Sequence, residues 1–311
     1  MVDGKSSVLS SLTARQRLPP LSINHQLSTI NLSVNPCDPL TLSRPIEDFP
    51  IGNVPLRVHH EEVRAVCPNA HIEPHAWIDA NDLAALATSG KSTLVDREDH
   101  PLAWTGAAPD LTCSHAGERS FLIRHPWDFL RANESYVGSL GASLIKGDVH
   151  PSALIEGQIQ VGAGTRILPG VFIEGNVVIG ENCKIGPNCY LRGNTSIGDG
   201  CHVGQAVELK NSILLNKTSV GHLSYVGDSI LGEKVNFGAG TITSNLRHDG
   251  KNHRSMIDGE LVDTGRRKFG AIVGDGVHTG IHTSIYPGRK LWPGTSTRPG
   301  EIVQYDLTAD I

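Results

Sequence analysis

From Val149 onward an aliphatic side chain recurs at every sixth residue: Ile155, Val161, Ile167, Ile173, Ile179, Ile185, Leu191, Ile197, Val203, Leu209 and Leu215 follow without a miss. Four residues after each comes a second register of small or β-branched side chains, among them Ala153, Thr165, Val171, Cys183, Cys189, Thr195, Cys201 and Val207. Glycine follows the aliphatic position at Gly162, Gly180, Gly186, Gly198 and Gly204, where a corner would call for permissive backbone angles. A period of six suits neither an amphipathic helix nor a half-buried strand. It suits a coil in which each hexad gives one short strand and one corner, three hexads close a triangle, and the aliphatic side chain fills the interior.

The predicted architecture is mainly β: a parallel β-helix of hexapeptide repeats over residues 148–307, preceded by a small α/β region. Coils stacked at the inter-strand spacing make the first twelve hexads a prism of roughly 20 Å. Beyond Leu215 the register bends. Gly221 falls where the next aliphatic is due, and the ladder restarts through Val220, Val226, Leu231 and Phe237. A polar excursion over residues 245–267 interrupts it, and period six returns at Val273, Thr279, Ile285, Leu291, Thr297 and Val303. Upstream the pattern is weak. Residues 1–36 are polar and read as a mobile tail, residues 37–125 as the small α/β region, and residues 126–147 as a linker helix opened by Pro126 at a favoured early position.

Composition sharpens this division. Of 34 glycines, 8 lie in residues 1–148 and 26 in residues 149–311, so the excess belongs to the repeat. Lys and Arg total 27 against 32 Asp and Glu, with no basic block, which argues against a nucleic-acid binder. No apolar run approaches the roughly 18 residues of a membrane span, and Met1 to Pro20 lacks an apolar signal core. A soluble cytoplasmic protein without a membrane partner is expected. The six cysteines form no CxxC pair, and three of them sit in the packing register, which favours reduced, buried thiols over chemistry.

Candidate chemistry concentrates at the bend, in GHLSYVGD (residues 221–228) and NFGAGTITSN (residues 236–245). These strings resemble the acetyltransferase domain of the bifunctional UDP-N-acetylglucosamine pyrophosphorylase/glucosamine-1-phosphate N-acetyltransferase (GlmU-like) family. DTGRRKFGA (residues 263–271) and SIYPG (residues 284–288) look like its archaeal-type branch. The resemblance covers residues 148–303 and implies a left-handed prism, a homotrimer with sites in the clefts between prisms, and acetyl-CoA as cosubstrate.

Carried over by position, His222 matches the family's general base. An amine acceptor arrives largely as ammonium, and imidazole is the side chain suited to taking its proton near neutrality. Arg192 and Lys210 match phosphate-holding positions. They are 18 residues apart, one coil, so the two like charges stack on one face and repel unless an anion bridges them. Tyr225, Asn236 and Asn245 match sugar-contacting positions, and Ala239 matches a backbone contact to the pantetheine arm. Lys251 and Lys268 match basic residues that approach the site. Leu246 replaces the family's usual Tyr, and Ile281 stands where a Ser is typical.

DPLTLSRPIED (residues 38–48) and HPWDF (residues 125–129) look like pieces of a shortened sugar nucleotidyltransferase, but the Gly-rich GxGTRM loop is absent. The expected function is therefore acetyl-CoA-dependent N-acetyl transfer to an amino-sugar phosphate, glucosamine-1-phosphate foremost, in UDP-N-acetylglucosamine synthesis. Two alternatives are a bifunctional enzyme that also transfers nucleotidyl groups, which would require magnesium, and a non-catalytic repeat scaffold. A metal-dependent hexapeptide enzyme built on His278 and His282 is a further one; otherwise no metal site is expected.

Overall fold

The computed structural model describes residues 35–308; the tail expected over residues 1–36 lies, apart from Asn35 and Pro36, outside them. Residues 144–303 wind into a left-handed parallel β-helix with three faces. The first face runs from Asp148–Val149 to Asn236–Phe237 in six strands. The second runs from Leu154–Glu156 to Ile302–Val303, and the third from Leu144–Ile145 to Lys290–Leu291, in eight strands each. Every pairing within these faces is parallel, with Ile155 on Ile173, Ile173 on Leu191 and Leu191 on Leu209. The aliphatic ladder and the second register form one core: Ile167, Ile185, Leu209, Cys183, Cys189 and Cys201 are all buried in it. Burial pushes the Cys189 thiol up to about 12, so it stays protonated.

The ladder departs from its expected course at one residue. Leu214, not Leu215, continues the core, because Ile197 pairs with Leu214, 17 residues on, where lower coils repeat at 18. The corner after Lys210 is one residue short. Leu215 instead points outward, with Ile213, Ile230 and Ile272, into a second apolar cluster shared with the N-terminal region. From Val177–Ile179 upward the third face is thus buried on both sides. A second five-residue step separates Val226 from Leu231. Gly221 consequently does not replace a core aliphatic; Val220 fills that place and Gly221 follows it.

The excursion is a β-hairpin, Arg254–Ile257 paired antiparallel with Glu260–Asp263. Its two-residue turn, Asp258-Gly259, has both φ angles positive (48° and 83°), as a turn matched to strand twist requires. After it the prism resumes, Leu231 pairing with Val273 and Thr243 with Ile285.

The N-terminal region holds a four-stranded sheet ordered Ala70–Ile72, Pro101–Thr105, Thr93–Val95, Cys113–His115. It also contains the helices α1 (Leu56–Arg64), α2 (Ala80–Thr88) and α3 (Pro126–Gly138). Asp128 caps α3 by accepting from the Arg124 and His125 N–H groups at 2.9 and 2.8 Å. Helix α3 runs along the edge between the second and third faces. Asn176 donates to the Val137 carbonyl at 3.0 Å, Asn133 to the Asn194 carbonyl at 2.9 Å, and Trp127 packs edge-on against Phe269. Ten helical residues rise about 15 Å, the height of about three coils, so one helix spans these rungs. Among the described residues no helix is long and apolar enough to cross a membrane.

Candidate functional site

Two neighbouring edges of the prism carry the candidate chemistry. On the edge between the first and second faces, strands His202–Gln205 and Ser219–His222 each run to four residues, where the other strands of the first face have two. This needs glycine beneath: a Cβ on Gly204 would lie 1.8 Å from the Gly221 carbonyl oxygen. The extension places His222 in register with Gln205, exposed to solvent, and Leu223 turns the corner at φ 52°. Among the described residues the His222 ring has no hydrogen-bond partner; its carbonyl accepts from Gly240 N–H at 3.1 Å and from the Ser224 hydroxyl at 2.7 Å. Ala239 follows one coil on, and its carbonyl accepts from His282 N–H at 2.8 Å, beside Ile281 on the next coil. His222, Ala239 and Ile281 thus rise along one edge.

The edge between the second and third faces is different. Its corner residue adopts a left-handed backbone at Gly175, Gly193, Asn211 and Asp228, with φ 88°, 69°, 48° and 48°. Glycine occupies it in the regular coils; Asn and Asp, which tolerate this region, occupy it in the shortened ones. The Asp228 carboxylate is buried and gathers four bonds. Lys210 Nζ donates to both its oxygens at 3.0 and 2.8 Å, Asn211 Nδ2 to Oδ1 at 3.1 Å and Asn245 Nδ2 to Oδ2 at 2.5 Å. Asn245 Nδ2 also reaches the Tyr225 hydroxyl at 3.0 Å. Burial and the Asp228 charge push the Tyr225 hydroxyl above its ordinary value, keeping it neutral.

Arg192 and Lys210 are cross-strand partners, one coil apart. The repulsion expected between them is met within the chain: Arg192 holds Glu208 at 2.7 Å and Lys210 holds Asp228. Lys210, Tyr225 and Asn245 therefore form one cluster with Arg192 beside it. Asn236 does not join them; it is exposed on the first face, between Ser219 and His278. Lys251 lies in an open cleft of the excursion with Arg247, Arg254 and Arg267. Lys268 is exposed beyond the hairpin. Neither lysine side chain contacts the cluster. Thr241 and Thr243 are buried coil residues. Among the described residues no three His, Cys, Asp or Glu side chains gather as a metal would require.

Asp228, Glu208 and Asn211 escaped sequence reasoning, as did Glu134 and Arg266, which join the cluster through Asn211. The usable signal was the doubled aliphatic at Leu214-Leu215, which conceals the short corner that brings Asn211 and Asp228 into line.

Residues 173–287 match the model of the GMPPB C-terminal domain. A bifunctional sugar-1-phosphate nucleotidylyltransferase/acetyltransferase of Sulfurisphaera tokodaii is 39% identical over 185 residues, 60% of this chain and 46% of that protein. Proteins named bifunctional protein GlmU are similar over the same share of the chain: that of Methanococcus maripaludis strain C7 at 50% identity, covering 44% of its length, and that of Methanococcus aeolicus at 42%, covering 45%. The chain thus spans a little under half the length of these relatives, and its C-terminal part is homologous to the GlmU-named group, as the motifs indicated.

Proposed function

We propose that the protein is an N-acetyltransferase that moves an acetyl group from acetyl-CoA to the amine of an amino-sugar phosphate, glucosamine-1-phosphate foremost. One observation carries the reading: a free imidazole, His222, stands three residues before Tyr225, whose hydroxyl is tied into the Lys210–Asp228–Asn245 cluster. A proton acceptor and a hydrogen-bonding cradle thus share one turn of chain. The identity of up to 50% to GlmU-named proteins supports the same reaction class.

In this reading the phosphate engages Arg192 and Lys210, competing with Glu208 and Asp228 for charge-assisted hydrogen bonds. Tyr225 and Asn245 orient the sugar, with Asn236, Lys251 and Lys268 reaching it from outside this cluster. His222 takes a proton from the ammonium and frees the nitrogen lone pair. The thioester supplies the acyl carbon: an N–C bond forms, the C–S bond breaks, the proton held by His222 passes to the departing thiolate, and the second proton that the nitrogen must lose to become an amide goes to solvent. The edge at Ala239 suits the pantetheine arm, because its exposed neighbour Ile281 offers an apolar wall.

We also infer a homotrimer working in the cytoplasm. The outward positions of the second face form an in-register stripe, Leu154, Phe172 and Tyr190 below, Tyr225 and Ile242 above, with Glu208, paired to Arg192, between them, of the kind a second prism would cover. Sedimentation analysis at three times the chain mass checks it.

The test of function is thiol release from acetyl-CoA with a panel of amino-sugar phosphates, comparing wild type with His222→Ala. Equal rates in the two proteins would favour a non-catalytic scaffold.

A further inference from the structure

We infer that Glu134, on helix α3 and outside the solenoid, is a positioning residue for the amino-sugar phosphate site; the inference rests on the proposed acetyl transfer and deepens it. Two carboxylates share one amide. The Asn211 side-chain nitrogen carries two hydrogens, one donated to Glu134 Oε1 at 2.6 Å and the other to Asp228 Oδ1 at 3.1 Å. Asp228 spends its remaining acceptor capacity on Lys210 and Asn245. On its far side Glu134 accepts from both terminal nitrogens of the Arg266 guanidinium, and Arg266 Nε reaches the Lys268 carbonyl at 3.4 Å. Glu134 therefore lies one amide away from the carboxylate that fixes Lys210 and Asn245, and one guanidinium away from the backbone of Lys268.

The chain is symmetric in charge about its amide: Arg266 positive, Glu134 negative, the Asn211 amide neutral, Asp228 negative, Lys210 positive. Each carboxylate has its own cation, and the neutral amide keeps the two carboxylates from meeting. The left-handed corners make the arrangement possible. Asn211 N–H bonds the Arg192 carbonyl and Asp228 N–H the Lys210 carbonyl, so their side chains leave the edge one above the other toward α3. In the regular coils glycine occupies this place at Gly175 and Gly193, and the helix is instead met by Asn176 and Asn194. Helix α3 is thus a brace in its lower part and a positioning element at Glu134.

Removing the carboxylate leaves the docking of α3 intact, since Phe129, Leu130 and Val137 bury its apolar side. It leaves Arg266 unpaired and Asn211 held at one hydrogen only, so Asp228 and Lys210 lose a fixed bearing. The full-length chain with Glu134→Ala is expected to show a KM for glucosamine-1-phosphate raised about tenfold, the loss of one charge-assisted hydrogen bond, with kcat and the KM for acetyl-CoA within about twofold. Glu134→Gln keeps an oxygen for Asn211 and recovers most of the loss. Glu61→Ala, on the exposed side of α1, matches wild type.

A second readout needs no turnover: competitive labelling of lysines with acetic anhydride, read by mass spectrometry. Lys210, tied to Asp228 in wild type, labels several-fold faster in Glu134→Ala, while exposed Lys217 does not change. Unchanged labelling of Lys210, or an unchanged KM in an active enzyme, overturns the inference. Parallel acceleration at Lys210 and Lys217 means general loosening and overturns it too. A wild type that acetylates no amino-sugar phosphate defeats the proposed function instead, and the labelling then decides the positioning alone.

Discussion

The lower coils of the prism, residues 149–209, and the coils above them use one fold in two ways. Below, the repeat is 18 residues at every rung, glycine turns the second–third edge, and the outward charged side chains stand on strands. Above, two corners lose a residue, Asn211 and Asp228 replace glycine in the left-handed position, and polar side chains face one another across stacked corners. The aliphatic core hardly registers the change: Leu214 and Leu231 fill it as Ile179 and Ile197 do. A repeat whose interior needs only one aliphatic per face tolerates a shorter corner, and that freedom shows on the surface, where the polar cluster gathers.

The contrast can be broken most sharply at two histidines on the same face. His222→Ala is expected to lower kcat by about 10²- to 10⁴-fold, the usual worth of a general base, while His202→Ala, on the coil below, leaves turnover unchanged. Thiol release distinguishes them. The next largest effect is on stability. Asp228→Ala leaves the partly buried Lys210 ammonium unpaired and is expected to cost about 3 kcal/mol, a fall in Tm of about 6–12 °C. Asp199, an exposed corner acid of the regular half that accepts one backbone N–H at 2.7 Å, should change Tm by no more than about 2 °C when made Ala.

Glycine pairs sharpen the comparison further. A methyl at Gly204 meets the Gly221 carbonyl at 1.8 Å, so Gly204→Ala should destabilise by about 1–3 kcal/mol and disturb the strand that carries His222. A methyl at Gly221 meets nothing within 4 Å, and Gly221→Ala should leave the melting curve in place. Parallel thermal melts check both.

The smallest effect is electrostatic. Burial and the Asp228 carboxylate hold the Tyr225 hydroxyl of the folded protein above the ordinary value of a phenol. Its contribution to stability is whole below that value and is lost as pH rises through the raised one, because the ionised form is then forced beside Asp228. Tyr225→Phe should flatten the alkaline limb of stability against pH and leave it unchanged near pH 7.

Much of this was legible beforehand. The period of six gave the prism and the burial of Cys183, Cys189 and Cys201, because inward packing repeats in sequence as it does in space; the glycines after the aliphatic position do not turn the corners as expected, since of the five only Gly186 has a positive φ, and the left-handed corners fall at others such as Gly164, Gly175, Gly193 and Gly200. The step at Leu214 was not legible, since two adjacent leucines satisfy a six-residue and a five-residue spacing alike. Counting by sixes therefore chose Leu215 and made Gly221 a defect in the core. The positions of His222, Lys210, Tyr225 and Asn245 could be read from local strings, but not what neutralises them. Glu208 and Asp228 answer charges one coil away, and Glu134 answers Asn211 from 77 residues away, a distance no local pattern spans. The strands of the N-terminal region, two to five residues each, are too short for period two to stand out.

The most direct measurement is thiol release from acetyl-CoA in the presence of glucosamine-1-phosphate, with mass analysis of the sugar product, for wild type and His222→Ala side by side. Stoichiometric N-acetylated sugar phosphate from wild type, with turnover reduced at least about a hundredfold in the variant, is the predicted result. No acetylated product from glucosamine-1-phosphate or any other amino-sugar phosphate, or equal turnover in the two proteins, would contradict it.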